Sequence, residues 1–305
     1  MTTTRSRPGA GPGAATVFAV ATLGIALFSG MDAVMKGLVL AIGAYNALVW
    51  RFGVQTILSA AVYLPRRPAM PSRAAMRLHV LRGLVAAVMA PLFFWGLARV
   101  PMAQAIALAF IGPIIALFLA ALILKEHVPR GSVIACVMAA GGVALILTGQ
   151  ARDDLGDGAL AGTMAILASA VCYAFNIILM RAQSQVAGPV EVTFWQSLIV
   201  TATFLLAAPW LLVVPSGIHI PMLLLGAVLA ATSLLLLAWA YARGEASYLA
   251  PTEYTGFVWA ALLGWLVFRE TLSPWTMAGA ALIVTGCIIA ARGKPVSVPN
   301  IEAAP

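Results

Sequence analysis

The chain has 305 residues, of which 62% are hydrophobic and only 9% charged, with a formal net charge of +8. Its mean hydropathy is +1.00. Soluble globular proteins are about 45–50% apolar and about 25% charged. So large an apolar surplus cannot be hidden in one soluble core, which excludes an ordinary soluble enzyme and makes lipid the solvent for most of the chain.

Taken in chain order, residues 1–14 form a Pro/Gly/Ala-rich tail expected to be disordered. The tail resembles a signal-peptide n-region, but the apolar run after it is too long for an h-region, so an uncleaved first span is expected. Ten apolar runs follow, at about 15–36, 43–64, 78–98, 103–124, 130–149, 159–181, 190–213, 219–241, 247–268 and 275–291. Each is close to the ~20 residues that a membrane helix needs. Pro/Gly and polar punctuation separates them, including an acidic stretch at 150–158 with Asp153, Asp154 and Asp157. Residues 292–305 form a second tail. Many linkers are short, so consecutive helices are expected to be antiparallel neighbours.

With ten spans, 13 Lys/Arg residues fall on the side of the N-terminus and four on the other, with Arg51 inside a helix. That bias predicts cytoplasmic termini. The basic residues sit between apolar runs rather than on one folded face, so nucleic acid is not expected as a partner. Cys136, Cys172 and Cys287 all fall inside apolar runs, with no CxxC or Cys/His spacing, so neither a metal nor a cofactor is expected. No GxxxxGK[ST] loop is present, so ATP is not expected as a direct fuel.

The chain also repeats itself. "LILKEHVPRG" from Leu122 and "LVFRETLSPW" from Leu266 lie 144 residues apart. At that shift Arg99 meets Arg243, Gly112 meets Gly256, Glu126 meets Glu270 and Gly142 meets Gly286. The first helices match at 145: Met35 with Met180, Lys36 with Arg181, Trp50 with Trp195. The expected architecture is therefore an all-α integral membrane protein of two five-helix repeats, 15–149 and 159–291. Five is odd, so the second repeat enters the membrane from the opposite side. Inverted repeats are a transporter architecture, with the binding site near the midplane.

The motif order points the same way. Lys36 closes helix 1, Arg51 lies in helix 2, and Arg82-Gly83 opens helix 3. Leu97-Ala98 with Pro101 precedes helix 4, Pro113 lies within it, Leu124 and Glu126 end it, and Gly141-Gly142 lies in helix 5. This resembles the EamA-type transporters of the drug/metabolite transporter superfamily, and the aromatic and neutral amino-acid exporters among them. The resemblance implies a bacterial inner-membrane carrier with a cavity lined by helices 1–4 and 6–9, exporting small metabolites, often amino acids. Other metabolites or lipophilic cations are the alternative substrates; a channel or a scaffold is the alternative class. The second repeat departs from the motif pattern: Gln196 stands at the position of Arg51, and Phe257 at that of Pro113.

An ionisable group inside a membrane is a functional candidate by default. Asp32 lies one turn before Lys36 and, in a helix 1–2 hairpin, at the depth of Arg51. The two are expected to pair, as a clamp, a gate or a contact for a substrate carboxylate. Asn176 and Gln196 are their neutral counterparts. Glu253 has no basic neighbour in sequence, which fits a proton carrier or an ammonium contact. His79 opens helix 3 and reads as interfacial. Tyr173, Trp195 and Tyr254, beside these polar groups, are expected to line the cavity. Glu126 and Glu270 read as interfacial residues at helix C-termini. No cluster suits an enzyme.

Overall fold

The computed structural model describes residues 14–66, 70–124, 130–152, 156–241, 243 and 246–292. Among them the chain is helical, with no strand. The elements are α1 (Ala14–Tyr63), α2 (Arg73–Leu97), α3 (Met102–Ala109), α4 (Ile111–Leu124), α5 (Arg130–Arg152), α6 (Gly156–Ser184), α7 (Pro189–Leu205), α8 (Ala208–Leu211), α9 (Ile220–Tyr241), α10 (Ala246–Phe268) and α11 (Pro274–Arg292). Four helical stretches are long and apolar enough to cross a membrane: Ala15–Arg66, Arg73–Leu97, Gly158–Met180 and Gly217–Leu237. Met102–Ala116, Cys136–Gly149 and Val190–Leu205 are shorter apolar helices.

α1 carries the first two expected spans without an intervening loop. Its one break is Gly43, at φ 80° and ψ 156°. Asp32 and Arg51 flank that break and interact electrostatically. In a straight helix 19 residues would separate them by about 28 Å, so the chain reverses at Gly43. No neighbouring atom lies within 4 Å of a Cβ built there. Glycine is needed for its left-handed φ, which other residues rarely adopt. The fourth expected span is also divided, into α3 and α4 at Phe110, and the seventh ends at Leu205, followed by the single turn of α8.

The packing differs from the expectation that sequence neighbours pack together. The most extensive interfaces join α1 to α9, α5 to α11 and α2 to α6, so the repeats interlock. Short loops fix the direction of successive helices, but which face of a helix packs is decided by where backbones can approach. Small residues set those places. A Cβ on Gly142 would lie 2.6 Å from the Gly279 carbonyl oxygen, and one on Gly279 would lie 2.5 Å from that of Gly142. Gly96 and Gly162 make the same close approach between α2 and α6.

The two-fold relation between repeats is visible in matched contacts. Thr56 and Thr201, repeat mates at the 145-residue shift, share a hydrogen bond of 3.0 Å where α1 crosses α7. Either side of it, Ser59 meets Ser197 and Phe52 meets Phe204, and each of these pairs is the image of the other. Ser169 donates to the Met89 carbonyl in one half, and Ser233 to the Gly24 carbonyl in the other. Arg99 folds back onto Trp95 and donates to its carbonyl; Arg243 does the same with Trp239.

Gly142→Ala is expected to destabilise the detergent-solubilised protein by about 1–3 kcal/mol, the scale of an overpacked core. Gly141→Ala should be close to neutral, since a Cβ there meets nothing within 4 Å. Thermal unfolding of the two variants beside the wild type measures this.

Candidate functional site: polar clusters between the repeats

One cluster joins α1, the start of α3 and the end of α10. The Lys36 ammonium forms an ion pair with Glu270 Oε1 and donates to the Val100 carbonyl at 2.7 Å. Glu270 Oε2 accepts from the Met102 backbone N–H at 2.8 Å. Met102 begins α3, whose N-cap Pro101 offers no side-chain acceptor. The carboxylate therefore satisfies an orphan donor and sits where the helix dipole favours negative charge. Local geometry turns Glu270 inward. α10 ends in a left-handed cap, with Arg269 at φ 57°, its N–H bonded to the Trp265 carbonyl and the Glu270 N–H to that of Gly264. Arg269 is left exposed. Glu270 is thus not an interfacial residue balanced by Arg269, as the sequence suggests; its partner is Lys36 from the other repeat. Lys125 and Glu126 lie outside the described residues.

Asp32 and Arg51 approach one another within α1 and feel each other's charge. They form no ion pair, unlike Lys36 and Glu270. Asp32 is 2% exposed. Arg51 lies over the rings of Phe52 and Phe94, with Nε sealed from solvent and without a hydrogen-bond partner.

A third cluster joins α2, α6 and α7. Arg82 donates from Nε to Asn176 Oδ1 at 3.0 Å and from Nη1 to Gln183 Oε1 at 2.6 Å. Gln183 Nε2 meets His79 Nδ1 at 2.6 Å, and His79 Nε2 meets Glu191 Oε1 at 3.0 Å. The polarity of this chain is determined from one end. Arginine only donates, so the Gln183 oxygen must face Arg82 and its NH2 must face His79. His79 Nδ1 is then the acceptor, and Nε2–H donates to Glu191. His79 is fully buried, at 0% exposure, with its ring stacked on Trp195 at 6.2 Å. It is not interfacial. Trp195 Nε1 is sealed without a partner.

The remaining candidates gather on α6 and α10. Tyr173 packs against Gly112 of α4 and is 41% exposed. Glu253, exposed on α10, and Arg82 both act electrostatically on Tyr173. Tyr254 meets Phe110 edge-on at 5.7 Å. Gln196 is half-buried on α7 and does not join the Asp32–Arg51 pair.

Sequence reasoning missed Arg82, Gln183, Glu191 and the inward role of Glu270. One signal was available. Arg82 lies nine residues beyond the start of α2 at Arg73, about 13 Å along a helix, which is inside a bilayer rather than at its surface.

Membrane-length helices, a repeat and polar groups shared between the two halves suit a membrane transporter. The chain belongs to the EamA-like transporter family, which matches it twice, at 16–148 and 160–292. It is 29% identical to the pseudopaline exporter CntI of Pseudomonas aeruginosa (strain UCBPP-PA14) over 281 residues, covering 90% of this chain and 95% of that one. It is also similar to riboflavin transporters of Rhizobium johnstonii, at 29% identity over 84% of this chain and 83% of that one, and of Vibrio cholerae, at 30% over 76% and 78%. A solved crystal structure shares the fold with a TM-score of 0.60 at 19% identity, covering 91% of this chain and 98% of the other.

Removing one partner of a buried ion pair costs about 3–5 kcal/mol. Glu270→Gln should therefore lower stability on that scale, since it strands the Lys36 ammonium. The double variant Lys36→Met/Glu270→Gln should recover much of the loss. Denaturation of both in detergent checks the coupling.

Proposed function

We propose that this protein is a multi-pass bacterial inner-membrane carrier that exports a small organic metabolite, an amino acid, by alternating access. In this reading it crosses the membrane ten times with both termini cytoplasmic. The observation that supports it best is the interlocking of the two repeats, which cross at Thr56–Thr201 and bury charges of both signs. An interior with Asp32 and Glu253 beside Arg51 and Arg82 suits a solute that itself carries both charges. The exporter and riboflavin-transporter relatives support a metabolite substrate in general terms.

In this reading the Lys36–Glu270 pair closes one end while the substrate binds near Tyr173. Asp32 and Arg51 act as a gate, since Arg51 is wrapped by aromatic rings and a lone carboxylate faces it across a short gap. Glu253 is the group that takes a proton or faces a substrate ammonium. Trp195, Gln196, Asn176 and Tyr254 complete the walls. The second reading, a larger aromatic or cationic solute, is favoured by the many rings around this space and keeps the same gate.

Purified protein in liposomes, offered labelled amino acids in competition with nucleosides, sugars and lipophilic cations, tests the substrate class. Uptake competed by an amino acid is the expected result, and failure of every amino acid to be carried would sink it. Glu253→Gln should abolish stimulation by a pH gradient while leaving exchange intact. A variant still driven fully by that gradient would remove Glu253 from the proton path.

A further inference from the structure

We propose that Arg82 is the anion receptor of the transport space, binding the carboxylate of the carried solute together with the Tyr173 hydroxyl. For the nature of the solute this rests on the carrier reading above; the assignment of the residue rests on geometry. Arg82 is only 8% exposed, and both of its hydrogen bonds go to neutral amide oxygens, those of Asn176 and Gln183. Among the described residues no carboxylate lies within ion-pair distance of it. A cation buried without an anion is costly, and costlier in a bilayer, so such sites are completed by a ligand or a partner.

The direction of that ligand can be read from the atoms in use. Nε and Nη1 are committed, and Nη2 makes no hydrogen bond. Nor is Nη2 among the sealed, unpartnered atoms, which in the described residues are Arg51 Nε, Trp195 Nε1 and Trp259 Nε1. It therefore touches open space. Tyr173, on α6, lies within electrostatic reach of Arg82 and is 41% exposed, and its hydroxyl makes no hydrogen bond among the described residues. Two unused donors, from α2 and α6, thus lie near one another, and Glu253 acts on Tyr173 from α10. A carboxylate at Arg82 with an ammonium towards Glu253 would place a zwitterion across the two repeats. Arg51 is a poorer receptor: its Nε is sealed and rings flank its guanidinium.

The amides behind Arg82 are what make it a receptor. Asn176 and Gln183 hold the guanidinium in one orientation without neutralising it, and the chain through His79 ends on Glu191, three hydrogen bonds away from Arg82. A fixed fork with an unspent charge suits carboxylate recognition.

The test uses the full-length protein in detergent and in liposomes. The first arm measures thermal stabilisation by 3-phenylpropionate, a carboxylate without an ammonium, against its neutral amide. Wild type should be stabilised by the acid and not by the amide. Arg82→Gln should weaken acid binding roughly tenfold to a hundredfold, the scale of a charged hydrogen bond. Arg82→Gln removes an amide-bonded cation from the interior and could fail to fold. Tyr173→Phe keeps the ring against Gly112 and should weaken the acid about threefold to tenfold. No stabilisation of the wild type by the acid, or equal stabilisation of the wild type and of both variants, overturns the proposal. The second arm measures uptake of labelled phenylalanine. Wild type that binds 3-phenylpropionate through Arg82 but carries no phenylalanine keeps the receptor and removes the amino-acid reading. Phenylalanine carried by Arg82→Gln with an unchanged KM keeps that reading and removes the receptor.

Discussion

A charge buried in a bilayer must find its partner within the protein, and here several of the partners are placed on opposite repeats. Lys36 of the first repeat is held by Glu270 of the second, and the same carboxylate caps α3 of the first. Arg82 of the first repeat is held by Asn176 and Gln183 of the second. His79 of the first is held by Gln183 and Glu191 of the second. Neither half could bury its own polar groups alone. The interlocking of α1 with α9, α2 with α6 and α5 with α11 follows the same logic in apolar form, with close glycine contacts setting where backbones meet.

Symmetry and its failure have separate meanings. Contacts that obey the two-fold relation, such as Thr56–Thr201, Ser59–Ser197 and the folded-back Arg99 and Arg243, are structural. Arg82, His79, Asp32, Arg51 and Glu253 have repeat mates of different chemistry: Gly226, Leu223, Asn176, Gln196 and Ala109. The chemistry is concentrated where the halves differ.

Much of the architecture could be read from the sequence because apolar length and residue register leave strong marks. The repeat shift, the apolar runs and the turn near Gly43 are of that kind. Which helix packs on which could not be read, since lipid-facing and protein-facing surfaces are both apolar here. The site was half legible. Asp32, Arg51, Glu253 and Asn176 stand out as polar residues inside apolar runs. Arg82, Gln183, Glu191 and Glu270 lie nearer the run ends, where polar residues are common, and only three-dimensional contact shows them turned inward. His79 was visible for the same reason and misplaced for the same reason.

The account depends most on the end closed by Lys36 and Glu270 opening during each cycle. Cysteines placed at both positions, in a background with Cys136, Cys172 and Cys287 changed to Ser, allow that end to be locked by a short thiol cross-linker. Once a labelled solute carried by the parent has been found, its exchange in liposomes should be lost on cross-linking and restored by a cleavable linker's reduction. Exchange at the full rate with the end locked would contradict alternating access through this end.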